Sequence, residues 1–255
     1  MINRAVIALI IVFLQAMPGS LMSQDINQLL QQGEALEKQF RDDDALKIYN
    51  EILVVQPDNV AGLSKSSELY SLLGKRQPSK DKQKKYYHTA RALAARALKI
   101  KPDYAEANFA MAVAMGRIAL VSSGEDKIKA VQDIKTYAEQ CIRSDPSNYK
   151  GYHVLGKWHY EVSDLSAIEK WLVKVTYGGL PPASLDASIK NYEKSKQLNP
   201  GFLLNYLELA KAYKRKDQKN MVRSLLTQLE KLPPVSYDDA KIKGMGKKML
   251  EDLKN

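Results

Sequence analysis

Three histidines, a single cysteine and a Gly-Met-Gly-Lys-Lys run are the groups in this 255-residue chain in which chemistry would first be sought. Imidazoles at the right spacing would chelate a metal or move a proton, a thiol would attack, and a glycine loop followed by lysine would cradle a phosphate. None reaches the required pattern. His153 and His159 are six positions apart and so point from different faces of a helix, with His88 remote from both. Cys141 has no second cysteine to pair with, and its spacing from Val131, Ile134 and Ala138 makes it a packing residue on the apolar side of a helix. Gly244 and Gly246, followed by Lys247 and Lys248, lack the preceding strand and the Ser or Thr of a phosphate loop. HExxH, paired CxxC and GxSxG do not occur. No catalytic, cofactor-binding or metal-ligating residue is predicted, and the expectation is a protein that is not an enzyme.

What remains is the chemistry of surface recognition. Glu34, Glu68, Phe109, His153, Lys157, Tyr160, Lys211 and Lys214 fall at equivalent positions of a recurring helix pair, the positions that line the inner groove when such pairs stack. With Asn27, Leu30, Ser64 and Val113 they run from acidic through apolar to basic along the chain. A partner protein segment lying in this groove is the expectation. Leu30 and Glu34 stand where a clamp for a peptide carboxylate needs Lys and Asn, which disfavours a receptor for C-terminal peptides.

The elements that must position these residues are read from five prolines, Pro57, Pro102, Pro146, Pro200 and Pro234. The last interval is 34 residues, the tetratricopeptide period, and the others are 45, 44 and 54, so three units carry insertions. Small and aromatic residues recur at the crossing positions, as with Gly33, Ala45 and Tyr49, and Tyr152, Leu155, Gly156 and His159 follow the spacing W-x2-L-G-x2-Y. Strand signals are absent. The predicted fold is all-α: a tetratricopeptide-like α-solenoid of about five helix pairs, with units over 26–59, 60–104, 105–148, 149–202 and 203–236 and a capping helix over 237–254. The insertion at 74–84 reads as loop and helix start. That of about 20 residues over 163–183 reads as an amphipathic helix bearing Ile168, Trp171, Leu172 and Val175, terminated by the Tyr-Gly-Gly-Leu-Pro-Pro segment over 177–182.

The N-terminus reads as a signal peptide over 1–23, ahead of a single domain over 24–255. Asn3 and Arg4 precede a run from Ala5 to Ala16 that is apolar except for Gln15, then Pro18, Gly19, Ser20 and a small residue, Ser23, before Gln24. The apolar core of 12 residues is shorter than the roughly 20 a membrane span needs. Export to a periplasm with cleavage near Ser23 and Gln24 is expected, an N-terminal membrane anchor being the alternative.

The formal charge of +10 is unevenly placed. Residues 25–59 hold eight acids against three bases, whereas 75–101 hold ten bases against Asp81 alone. The basic stretch has no nucleic-acid motif and few interleaved aromatics, so nucleic acid is not a predicted partner. Peripheral contact of 75–101 with an anionic membrane is the alternative to the protein-binding reading.

The segments YHVLGKWHYEV (152–162), LPPAS (180–184), KNYEKSKQLNPGF (190–202) and NYLELAKAY (205–213) resemble, in order and spacing, the C-terminal half of the regulator of microtubule dynamics family. The resemblance is best over about 104–250. It implies an all-helical domain and a role in protein association, microtubule attachment being the activity of eukaryotic members. It carries no tubulin-binding residue onto any position here.

Overall fold

The computed structural model describes residues 19–253, with side chains from Ile26 onward, so the expected signal segment lies almost wholly outside the described residues. Among them the chain forms twelve helices: α1 (Gly19–Lys38), α2 (Asp42–Val55), α3 (Val60–Lys75), α4 (Lys80–Ile100), α5 (Ala105–Ala119), α6 (Gly124–Ser144), α7 (Tyr149–Asp164), α8 (Ala167–Tyr177), α9 (Leu185–Leu198), α10 (Leu203–Arg215), α11 (Lys219–Lys231) and α12 (Asp239–Glu251). No strand occurs among the described residues. α1 pairs with α2, α3 with α4, α5 with α6, α7 with α9 and α10 with α11, while α12 closes the stack against α10 and α11.

The prolines act through the residue before them. Pro Cδ bars that residue from the helical region, so a helix running into it must stop. Gln56, Lys101, Asp145 and Asn199 all adopt φ between −129° and −143° with ψ between 84° and 97°. Each N–H donates to the carbonyl four residues back at 2.7–2.9 Å, and each carbonyl accepts from the residue three ahead at 3.0–3.3 Å. One turn is thus built four times. The fifth proline does not repeat it. Pro233 precedes Pro234, Leu232 leaves α11 extended at ψ 139°, and the connection to α12 starts as an extended stretch of chain.

In three of the pairs, α1–α2, α3–α4 and α7–α9, the helices cross where one of them has no side chain, at Gly33, Gly74 and Gly156. A Cβ at Gly33 would lie 2.5 Å from the Tyr49 ring, and one at Gly156 would lie 2.8 Å from Tyr192, both tyrosines being fully buried. The 74–84 insertion is mostly helix. α3 continues through Lys75 and α4 starts at Lys80, capped by Ser79, because four residues suffice for the turn. α8 forms as expected, with a Ser166–Glu169 capping box at its start and Gly178 in the left-handed conformation (φ 77°) at its end. Cys141 is buried, as expected of a packing residue.

Candidate partner-binding face

α3 packs on α5, α5 on α7, and α7 on α10, and no comparable packing joins α2, α4, α6, α9 and α11. Helices that touch their counterparts in the next unit lie on the inside of a curved stack, so α3, α5, α7 and α10 line the concave face, and α1 joins it through the Glu37–Lys65 ion pair. This is the face on which the equivalent positions of the recurring helix pair are expected to lie.

Its floor is a ladder of ion pairs. Tyr49 Oη donates to Glu37 Oε1 at 2.5 Å, and Lys65 Nζ meets the same oxygen at 2.9 Å. One unit on, Lys150 Nζ donates to Glu68 Oε2 at 3.0 Å while lying 4.7 Å from the Phe109 ring centre. Further along, Lys157 reaches Glu208 and Glu161, both at 2.8 Å, and Lys211 reaches Glu208 at 2.6 Å. Burial opposes the charge of Lys150, but Glu68 outweighs it and the ammonium pKa lies above its ordinary value. Burial likewise opposes ionisation of Glu208, and Lys157 and Lys211 reverse the effect and hold its pKa low. Both stay charged at neutral pH, which suits rigid positioning more than proton transfer.

Tyr160 lies between two cations. Lys157 Nζ is 5.4 Å and the Arg215 guanidinium carbon 4.6 Å from its ring centre, and Arg215 also donates to the Tyr160 carbonyl and pairs with Asp164, both at 2.8 Å. Lys214 is exposed beside this platform on α10. A half-buried tyrosine with its cations already ordered is the kind of group that anchors protein interfaces.

Of the eight projected residues, Glu68, Phe109, Lys157, Tyr160 and Lys211 take part in this network, and Glu34 and Lys214 are exposed at either end. His153 requires correction. It is buried, 8% exposed, because α10 packs directly over this position of α7. Asn205 Nδ2 donates to the Tyr192 carbonyl at 2.8 Å, which turns Oδ1 toward His153 at 3.0 Å, so Nδ1–H is the donor. Burial holds the imidazole pKa below its ordinary value, and the ring packs against Tyr192 and Phe202. It is a joint between α7, α9 and α10, not a groove contact.

The expected gradient from acidic to basic is also revised. Lys65 and Lys150 sit among the acids of the first units and Glu208 among the bases of the last, so charges alternate along the face. The missed partners lie one helical turn from projected residues: Glu37 from Glu34, Lys65 from Glu68, Glu208 from Lys211.

Two features lie off this face. Ile168, Trp171, Leu172 and Val175 on α8 are 78%, 63%, 54% and 65% exposed, so the apolar stripe faces solvent. Beneath α8, a cleft of about 440 Å³ opens between Val162, Val173, Leu180 and Pro181, with Lys170 and Lys174 at its edge. No group of three or more His, Cys, Asp or Glu able to hold a metal occurs among the described residues, and no helix there is long and apolar enough to cross a membrane.

This architecture defines an α-solenoid of tetratricopeptide-like helix pairs. Solved structures share it: a thermophilic tetratricopeptide protein of Thermus thermophilus superposes with a TM-score of 0.65 at 12% identity, over 87% of this chain and 98% of that one. Pseudomonas aeruginosa pilF gives 0.55 at 10% identity, over 91% and 92%. The sequence profile described as Regulator of microtubule dynamics protein 1-3 matches residues 23–254, and the chain belongs to that family. It is 23% identical over 222 residues to regulator of microtubule dynamics protein 3 of Rattus norvegicus (85% of this chain, 47% of that protein). It is 27% identical over 177 residues to regulator of microtubule dynamics protein 2 of Mus musculus (69% and 43%). The chain spans about half the length of the curated relatives it matches. Fold and family together mark it as a helical-repeat protein.

Proposed function

We propose that the chain is a non-enzymatic, exported scaffold that holds a segment of a partner protein along its concave face. The observation that carries this reading is the Tyr160 platform, a half-buried ring ordered between Lys157 and Arg215 with the exposed Lys214 beside it. Ion pairs fix these side chains before a partner arrives, which lowers the entropic cost of binding. A photo-crosslinking residue in place of Lys214 or Glu34, with the outward Arg91 of α4 as control, tests it in cells. A recurring protein adduct from the concave positions alone is expected; adducts from Arg91 alone, or none, refute the reading. Export is tested by the N-terminal residue of the mature protein, expected near Gln24.

A second reading is favoured by α8 and α4. α4 exposes Lys80, Lys82, Lys84, Lys85, Arg91 and Lys99, and Trp171 stands exposed among aliphatic residues on α8, the composition of a helix that rests in a lipid interface. Flotation with anionic vesicles at low salt, lost at high salt, with a blue-shifted Trp171 emission, would establish it. Flotation unchanged by salt, or absent, would remove it.

A further inference from the structure

The connection between α11 and α12 is not a free linker. Asp239 Oδ2 accepts the N–H groups of Val235 and Ser236 at 2.7 and 2.8 Å, which sets the path of the segment. Asp238 Oδ2 then accepts Lys75 Nζ at 2.8 Å, a contact spanning 163 positions, and the Tyr237 ring lies 4.4 Å from the Arg76 guanidinium carbon. The stack therefore curls until its last connection meets the end of α3. The contact is shallow: Val235 and Tyr237 remain 55% and 62% exposed, and a gap of about 210 Å³ separates the segment from Leu72 and Asp42.

The receiving edge holds buried polar groups that are not fully paired, the Nε donors of Arg76 and Arg117 and one acceptor, Asp42 Oδ2. Arg76 Nη1 lies 2.7 Å from Asp42 Oδ2, aligned as an ion contact and not as a hydrogen bond, and Arg76 Nε is buried without a partner. Arg117, at the end of α5, also keeps a buried Nε with no partner; burial holds its pKa below the ordinary value, with Tyr87 and Asp238 opposing that effect. Unmet buried donors cost free energy, and with two arginine Nε groups against the single Asp42 oxygen the edge can take more acceptor than the segment supplies. The segment, in turn, is not needed to dock α12, whose Ile242 and Met249 are buried in the α10–α11 core. The Pro-Pro start keeps the chain extended and so pre-ordered for strand-like recognition.

We propose that residues 233–238 are an internal stand-in for a peptide ligand: the edge formed by Lys75, Arg76 and Arg117 binds an extended, proline-containing protein segment in which an aromatic residue is followed directly by a carboxylate. The aromatic ring stacks on Arg76 and the carboxylate bridges Lys75 and the spare arginine donors. A ligand in trans must displace the Tyr237–Asp238 pair, whose tether gives it a high local concentration. The site lies on α3 and α5, whereas the platform of the proposed groove lies on α7 and α10, so either can fail without the other.

The test is fluorescence anisotropy of a labelled peptide spanning residues 231–240, titrated with the full-length chain. A Tyr237→Ala/Asp238→Asn variant, in which the internal occupant is weakened, is expected to bind this peptide about tenfold more tightly than the unmodified chain, the gain set by the occupied fraction released. Lys75→Gln in that background is expected to remove most of the binding, and Arg76→Lys, which keeps the charge facing Asp42, to weaken it through loss of ring stacking. A peptide with its Tyr and Asp exchanged for Ala and Asn is expected not to bind. Equal affinity of the opened variant and the unmodified chain, absence of binding to an opened variant whose circular dichroism is unchanged, or equal binding of the Ala-Asn peptide would each overturn the proposal.

Discussion

Gly156→Ala and Gly244→Ala should move stability in opposite directions, although both replace a helical glycine by the best helix former. At Gly156 the new Cβ would lie 2.8 Å from Tyr192 Cδ1 and 3.0 Å from both Cε1 and Cγ. Carbon contacts are ordinarily about 3.5–4.0 Å, so the ring and α7 would have to part by roughly 0.7 Å. Tyr192 has nowhere to go. It is fully buried and bounded by His153, and Ser188 Oγ ties α9 to the Gly156 carbonyl at 2.8 Å. Overpacking of this kind costs about 1–3 kcal/mol, against a propensity gain of about 0.5–1 kcal/mol, for a net loss of roughly 1–2 kcal/mol. At Gly244 a Cβ meets nothing within 4 Å, so only the gain of about 0.5–1 kcal/mol remains.

Urea unfolding measures the difference. A repeat stack can lose a unit locally, so fluorescence from α7 is read beside far-UV circular dichroism, which reports on the whole stack and so on α12. The chain has two tryptophans, and a Trp171→Phe background leaves Trp158, which is buried on α7 with its indole N–H donating to the Val131 carbonyl at 2.7 Å. In that background the two variants should differ by about 2–3 kcal/mol, Gly244→Ala being the more stable, or roughly 5–10 °C in thermal midpoint. Equal stabilities would refute the claim that α7 and α9 need a bare backbone at their crossing.

Glu208→Gln should cost about 1–2 kcal/mol at pH 7, less than a fully buried ion pair because Lys157 stays 41% exposed. Since the folded Glu208 pKa is depressed, its contribution is complete above the unfolded value of about 4.3 and is lost as pH falls through the folded one, so the gap in urea midpoints should close in acid. His153 works with the opposite charge. Burial lowers its pKa, so the unfolded chain takes up a proton first and stability should fall as pH drops below about 6.5, a slope that His153→Asn reduces and that His159, whose pKa burial also lowers, shares. Burial pushes the Cys141 thiol up to about 12, and it should react with a thiol reagent only as the chain unfolds; prompt labelling of the native protein would contradict its placement.

How far each feature could be read in advance follows from the distance over which its cause acts. The four turns were legible because the clash at a residue before proline is a nearest-neighbour effect, and the same cause gave the same dihedrals at Gln56, Lys101, Asp145 and Asn199. The stripe on α8 was legible as a helix because periodicity is local too. Its direction was not, since Ile168, Trp171, Leu172 and Val175 would read alike against a core or against water. Projection placed His153 on the right face of α7 and still misjudged it, because α10 covers that position in the folded stack. The alternating charges of the concave face failed for the same reason: Lys150 finds Glu68 across 82 positions.

The closure of Asp238 on Lys75 is the extreme case. Curvature in a solenoid is the sum of small rotations between successive units, and each depends on how helix lengths match. Here the enlarged units give α4 and α6 21 residues each, against 14 in α2 and α9. Small changes in any of them would carry the far end past α3 or leave it short. The Pro-Pro step after Leu232 was visible, and counting it as one more repeat boundary hid its meaning. It marks the place where the chain abandons the turn used four times before and runs extended into contact with the end of α3, and so the fifth proline, not the four that agree, points to a site.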